Sequence, residues 1–208
     1  MIKGFIFDLD GTLYQRSNML YREMSSLIRQ WFINQLEVKE CDADIFFNKL
    51  KILYPSALQA VKEFNLNVHS FHECTFDKLK PELYLHEDKN LIHVLSSLSG
   101  KKFLVTLSSK KHSEKVMKIL GVKKFFSEIY IPDVNWYTYR KIDVYDMICK
   151  KYNLLPNEIC VIGDDYTVDL EDACGKGYMC VLINNVCNKE IKSIQNINSL
   201  LKIIENES

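Results

Sequence analysis

The chain has 208 residues, 47% of them hydrophobic, with 27 lysines and arginines balanced by 27 aspartates and glutamates. A zero net charge supplies no field for nucleic acid or a membrane surface, and no apolar run reaches the roughly 18 residues of a membrane span. The composition is that of a globular protein able to bury a sizeable core. Acidic residues gather locally at 8–10 and 164–172. Seven cysteines, at 41, 74, 149, 160, 174, 180 and 187, form no C-x-x-C pair. That argues against a zinc or disulfide framework and for a reducing compartment. The amino terminus runs straight into an apolar strand and an acidic turn, unlike a secretory signal, so a cytoplasmic protein is expected.

In chain order, an apolar run through Ile6 and Phe7 ends on Asp8-Leu9-Asp10-Gly11-Thr12. Two carboxylates one residue apart at a strand end can share a cation or a phosphate, and such ends are where open α/β sheets bind ligands. Residues 18–37 carry Leu20, Met24, Leu27, Trp31 and Leu36 at helical spacing. Residues 42–64 repeat the pattern with a break near Pro55, and a short helix is predicted over 68–80. Residues 16–84 thus read as an all-helical insertion into an α/β core made of 1–15 and 85–208. In the core, helices are predicted near 88–99, 111–120, 143–152, 168–174 and 196–205. Strands are predicted at 102–106, 128–131, 158–162 and 179–183, with an irregular aromatic stretch at 133–140. Strands alternating with helices predict a Rossmann-like parallel sheet with helices on both faces.

The run Asp8-Leu9-Asp10-Gly11-Thr12-Leu13-Tyr14 resembles the first motif, D-x-D-G-T-L-[YF], of the haloacid-dehalogenase-like (HAD) phosphohydrolase superfamily. The resemblance implies that Asp8 is a nucleophile and Asp10 a general acid/base, with Gly11 turning the chain at the substrate. An acid at Asp10 separates the chain from the dehalogenase branch, which has none there. Phe103-Leu104-Val105-Thr106 resembles the second motif. It implies that the Thr106 hydroxyl and the Leu107 amide hold a phosphoryl group, with Ser108 as the alternative hydroxyl. Leu107 stands where nucleotidase-like members have Asn. Cys160-Val161-Ile162-Gly163-Asp164-Asp165-Tyr166-Thr167-Val168-Asp169 resembles the magnesium loop, G-D-D-x-x-x-D. Asp164 is then a direct ligand, assisted by Asp165 or Asp169, with Asp8 and Asp10 completing the site. An oxygen-only ligand set suits Mg²⁺. A calcium EF-hand loop does not fit, because its sixth position needs Gly and holds Asp169. For the third motif, a Lys before the helix preceding the metal loop, Lys141 is the candidate, although Ile142 replaces the usual Pro. Arg140, or a Lys from elsewhere, is the alternative. His112 reads as a helix-surface residue, Trp31 and Trp136 as core or cap-interface aromatics, and Glu171 and Asp172 as a solvated helix start.

The resemblance spans the whole core and implies a Mg²⁺-dependent phosphomonoester hydrolase working through an aspartyl-phosphate. The helical insertion would be a cap that selects a small phosphorylated metabolite and closes over it, with no nucleic-acid or membrane partner. A loose similarity to pyrimidine 5′-nucleotidases makes a nucleoside 5′-monophosphate the leading substrate. Sugar-phosphate or phosphoglycolate hydrolysis and phosphomutase activity are alternatives. Leu107 and the altered third motif also permit a non-enzymatic scaffold that binds a ligand or partner.

Overall fold

The protein is described by a computed structural model for residues 1–132, 140–183 and 191–206. β1 (Gly4–Phe7) is buried throughout. Its side chains alternate between two cores, Phe5 and Phe7 facing one and Ile6 the other. A strand covered by helices on both faces has no polar side to show, which explains the unbroken apolar run. Two-residue strands β2 (Asp10–Gly11) and β3 (Tyr14–Gln15) follow and pair with each other.

From there to residue 88 every regular element is helical. α1 (Met19–Gln35) starts on an Asn18 cap, α2 spans Ala43–Leu53, and α3 (Ala57–Glu63) and α4 (Val68–Cys74) start on Ser56 and Asn67 caps. The cap oxygens accept amide hydrogens that the first helical turn leaves unpaired. Pro55 lies in the gap between α2 and α3. Trp31 packs edge-on against Phe32 and Phe71, with ring centres 5.2 and 4.9 Å away, so it is a core residue of this layer. Trp136 lies outside the described residues.

The core resumes with α5 (Lys89–Ser97), β4 (Lys101–Val105), α6 (Lys110–Leu120) and β5 (Glu128–Tyr130). It continues with α7 (Lys141–Tyr152), β6 (Ile159–Gly163), α8 (Glu171–Gly175), β7 (Met179–Ile183), β8 (Lys192–Ile194) and α9 (Leu200–Glu205). Six strands form one sheet in the order β5-β4-β1-β6-β7-β8, every neighbouring pair parallel. β1 is central, between β4 and β6. The three strand ends that carry Asp8, Thr106 and Asp164 are therefore adjacent at one carboxyl edge, where the order turns about β1.

Some boundaries differ from the sequence expectation. α7 begins at Lys141 rather than 143. The helix expected over 168–174 divides into a wide π turn at Tyr166–Leu170 and then α8. The 196–205 stretch is a 3₁₀ turn at Ile197–Ser199 leading into α9. β8 was not foreseen, because three residues, Lys-Ser-Ile, carry too little alternation to read as a strand. Most of the aromatic stretch at 133–140 lies outside the described residues. No helix among the described residues is long and apolar enough to cross a membrane.

Candidate active site

β1 and β6 deliver Asp8 and Asp164 to the same edge, and the π turn swings Asp169 back beside them. All three are buried, and one carboxylate oxygen from each lies within 4.8 Å of the others. Two glycines permit this approach. Gly11 has φ +94°, and a Cβ there would collide with the Asp164 carboxylate; at Gly163 a Cβ would collide with Asp169. The Thr12 hydroxyl lies 3.3 Å from Asp8 and 3.5 Å from Asp164.

Two cations enter this cluster. The Lys141 ammonium, 3% exposed, contacts Asp8 directly and lies 2.6 Å from Asp169. It occupies the first position of α7, and helical side chains lean toward the amino-terminal end, here toward the strand edge. Arg16 contacts Asp164 and lies 3.2 Å from Asp165. The sequence reading passed over Arg16, since a single Arg after a strand carries no signal of its own. Arg140, the alternative third-motif cation, instead pairs with Asp172 at 2.7 Å on the surface.

Electrostatically the cluster remains short of positive charge. Burial, and then the Asp169 charge, push the Asp164 carboxyl up to about 6 despite Arg16. Burial also drives Asp8 well above the usual carboxylate range, with Lys141 opposing and Asp169 and Asp164 reinforcing. Burial pulls the Lys141 ammonium down, but Asp169 and Asp8 outweigh it and hold it well above its usual range. Three packed carboxylates facing two monovalent cations form an all-oxygen donor set that fits a hard divalent ion of the Mg²⁺ class.

Asp10 sits in a different environment. Its Oδ1 accepts from the Tyr14 hydroxyl at 2.6 Å and from His112 Nε2 at 2.7 Å, and its Oδ2 accepts from the Ser108 hydroxyl. Burial would raise this carboxyl, but His112, Ser108 and Tyr14 together hold it below its usual value. The Asp10 side chain is thus turned to this donor cage, and its oxygens are not part of the Asp8–Asp164–Asp169 cluster. His112 is a correction to the sequence reading. It is 1% exposed and faces inward, on the apolar stripe of α6 with Val116, Met117 and Leu120. The lysines and glutamate around it gave that turn a solvated look.

Asp165 also differs from the fourth-motif grouping. Its carboxylate accepts from the amides of Thr167 and Val168 at 3.1 and 3.2 Å, capping the π turn, while its own amide donates to Asp169 at 3.0 Å. Of the two candidates to assist Asp164, the structure brings Asp169 into the cluster. Thr106 is buried at the end of β4, its hydroxyl accepting from the Ser108 amide at 3.1 Å. The Leu107 carbonyl lies 3.3 Å from His72 Nε2 of the helical insertion. A cavity of about 1070 Å³ joins these residues to the insertion, with Asp8, Thr106 and Lys141 at its floor and Tyr21, Phe47 and Tyr54 on its walls.

A model of the haloacid dehalogenase-like hydrolase family matches residues 5–183, which include all of these site residues. The chain belongs to that family. It is 26% identical over 174 residues to PpaX of Clostridium perfringens, a protein named for pyrophosphatase activity, covering 79% of this chain and 76% of that one. A HAD phosphatase from Thermococcus onnurineus shares the fold at a TM-score of 0.61, with 20% identity and 98% of each chain covered. YfnB of Bacillus subtilis, a HAD hydrolase solved with bound magnesium, superposes at 0.62 with 13% identity over 98% of this chain and 99% of that one. The architecture is therefore that of a HAD-like hydrolase, with six parallel strands and the acidic cluster at the carboxyl edge.

Proposed function

We propose that this member of the family is a phosphomonoester hydrolase in which Asp8 is the nucleophile and Asp10 the general acid/base. The observation that carries the reading is the contrast between the two aspartates. Asp8 lies among carboxylates and the Lys141 ammonium, whereas Asp10, two residues on, lies in a cage of hydrogen-bond donors.

In the first step a carboxylate oxygen of Asp8 attacks phosphorus, the bond from phosphorus to the ester oxygen breaks, and the leaving alkoxide takes a proton from Asp10. In the second step water attacks the phosphoryl group on Asp8 and gives its proton to the Asp10 carboxylate. The acyl-phosphate bond then breaks, releasing inorganic phosphate and restoring both side chains. Lys141 favours the ionised form of Asp8 against its burial, and it stands where transferring oxygens gain charge. The Thr106 hydroxyl and the Leu107 amide hold the phosphoryl oxygens. Asp8, Asp164 and Asp169 would hold a Mg²⁺ ion, which supplies charge neutralisation to the phosphoryl group.

The helical insertion acts as a cap in this reading, since the cavity it walls has room for a small metabolite rather than a phosphate alone. A nucleoside 5′-monophosphate is the leading substrate on sequence resemblance. The PpaX relationship adds inorganic pyrophosphate to the compounds worth testing. A reducing compartment is part of the proposal and rests on the cysteine pattern.

The test is Mg²⁺-dependent phosphate release from p-nitrophenyl phosphate, then from nucleoside monophosphates, sugar phosphates, phosphoglycolate and pyrophosphate. Hydrolysis that chelation abolishes and Mg²⁺ restores is the expected result. No release across the panel leaves the non-enzymatic scaffold as the reading.

A further inference from the structure

We infer that His112 is the residue that positions Asp10, and that the cap segment 72–77 seats it; this rests on the acid/base role proposed for Asp10. Three groups donate to the Asp10 carboxylate, but they differ in kind. Tyr14 and Ser108 offer hydroxyls whose hydrogens rotate and follow the carboxylate as it turns. The imidazole N–H points along one fixed direction in the ring plane. The carboxylate therefore takes its orientation from His112, provided that the ring itself is held.

It is held from two sides. The Ser109 hydroxyl caps α6 and accepts the His112 amide hydrogen at 3.2 Å, which fixes the backbone from which the ring projects. The Phe76 ring, from the helical insertion, lies 5.7 Å from the imidazole at a 52° tilt and also packs against His72 at 5.6 Å. The same segment grips the loop between Thr106 and α6. His72 lies on the Leu107 carbonyl, and Asp77 accepts from the Ser109 hydroxyl at 2.5 Å. Cap and core are thus joined around Ser108 and His112, so the placement of the cap is felt at the Asp10 oxygens.

Burial in an aromatic pocket does not by itself call for a histidine, because a phenylalanine offers similar bulk to Phe76. What the phenylalanine lacks is the N–H aimed at Asp10 at 2.7 Å. A packing role and a positioning role therefore predict different kinetics. Loss of packing lowers stability and affects every substrate alike. Loss of orientation harms both proton transfers at Asp10, and in the first half-reaction the harm falls on esters whose leaving alkoxide needs a proton.

The experiment compares His112→Phe, His112→Gln and His112→Asn with wild type on p-nitrophenyl phosphate and on a simple alkyl phosphate, with Asp10→Asn assayed alongside. Binding of inorganic phosphate in the presence of Mg²⁺ is measured by calorimetry. We expect His112→Phe to leave phosphate binding within about threefold, and the single-turnover rate of p-nitrophenol release, which reports the first half-reaction alone, nearly unchanged. Its single-turnover rate of alcohol release from the alkyl ester should fall by about 10-fold to 100-fold, part of the 10²–10⁴ available from general acid–base catalysis. Gln, whose amide N–H can reach the same oxygen, should recover most of that loss, and the shorter Asn should not. If the Phe variant does not fold, the Gln and Asn pair decides alone. Equal losses of the first-half-reaction rate on both esters, Gln no better than Asn, or no loss at all overturns the inference. A steep leaving-group dependence in Asp10→Asn without one in the His112 variants rejects only His112. No such dependence in Asp10→Asn rejects the acid/base role and the inference with it.

Discussion

Two aspartates separated only by Leu9 face opposite surroundings. Asp8 meets Asp164, Asp169 and Lys141, and burial with its acidic neighbours drives its carboxyl up. Asp10 meets Tyr14, Ser108 and His112, and these donors draw its carboxyl down against the same burial. One strand end thereby carries two carboxylates with divergent proton affinities. In the metal-free protein their directions run against the proposed roles, so a divalent cation at the cluster would also be what returns Asp8 to the attacking carboxylate. The comparison also shows what each region still needs. The Asp10 cage is complete within the protein, whereas the Asp8 cluster lacks positive charge and calls for a divalent cation. A cage of donors favours the carboxylate form of Asp10. In the proposed mechanism this leaves Asp10 ionised for the half-reaction in which it would take a proton from water and opposes the protonated form needed in the other, which makes its orientation decisive there.

The largest expected effect breaks the comparison at Asp8. Asp8→Asn should reduce phosphatase turnover below about 1% of wild type with a folded circular-dichroism spectrum, because an amide cannot attack phosphorus and acid–base help alone spans roughly 10²–10⁴. Retained activity above that level removes Asp8 as the nucleophile. Next comes the cation on Asp8. Lys141→Ala should lower kcat by about 10²-fold, the scale of one lost transition-state donor. Arg140→Ala, at the surface pair with Asp172, should stay within about threefold. Equal losses in the two variants would move the essential cation away from Lys141. A smaller effect concerns the metal. Asp164→Ala should raise the Mg²⁺ concentration for half-maximal activity by tenfold or more, on the order seen when metal sites lose a supporting group. Glu171→Ala, on an exposed first turn of α8, should change it less than twofold.

The smallest effect is a pH dependence of the metal-free protein. The Asp164 carboxyl is raised from 3.8 to about 6, and Asp8 is raised as well. Between those values the native state binds protons that the unfolded chain has released, so stability is fully present below about pH 4 and is lost as pH rises through about 6. Carboxyls held low, Asp10 and Glu128 among them, act in the opposite sense but only in more acidic solution. Metal-free protein should therefore melt a few degrees higher at pH 5 than at pH 7.5, at roughly 2–4 °C per kcal/mol for a chain of this size. Added Mg²⁺ should raise the melting temperature more at pH 7.5 than at pH 5. A metal-free melting temperature that climbs steadily from pH 5 to 7.5 contradicts the assignment, and Asp164→Asn should flatten the profile.

Much of the fold was legible because alternating apolar runs and helical periodicities report burial directly. The parallel sheet followed from uninterrupted runs such as Phe5-Ile6-Phe7 and Cys160-Val161-Ile162. The acidic strand ends were legible for the same reason, since a carboxylate closing an apolar run has to emerge at a sheet edge. Side-chain orientation was harder to read. His112 stands five residues before Met117 and four before Val116 on the buried stripe of α6, a spacing that was available but hidden by Lys110, Lys111, Glu114 and Lys115. Asp165 and Asp169 could not be ranked from spacing, because the π turn that returns Asp169 to Asp164 leaves no mark in the residue pattern. Arg16 reaches Asp164 only because β3 follows a tight turn at Gly11, a tertiary fact with no local signature.

The central claim is that Asp8 itself becomes phosphorylated, and acid-quenching the Mg²⁺-loaded protein during turnover tests it most directly. Peptide mass spectrometry should find one phosphoryl group on the peptide containing Asp8, absent from Asp8→Asn and lost on mild alkali treatment, as an acyl phosphate is. Substoichiometric label that rises in Asp10→Asn, where the second step is slowed, would strengthen the same conclusion. Turnover with the label on a different residue would contradict the account, as would turnover in Asp8→Asn at the wild-type rate.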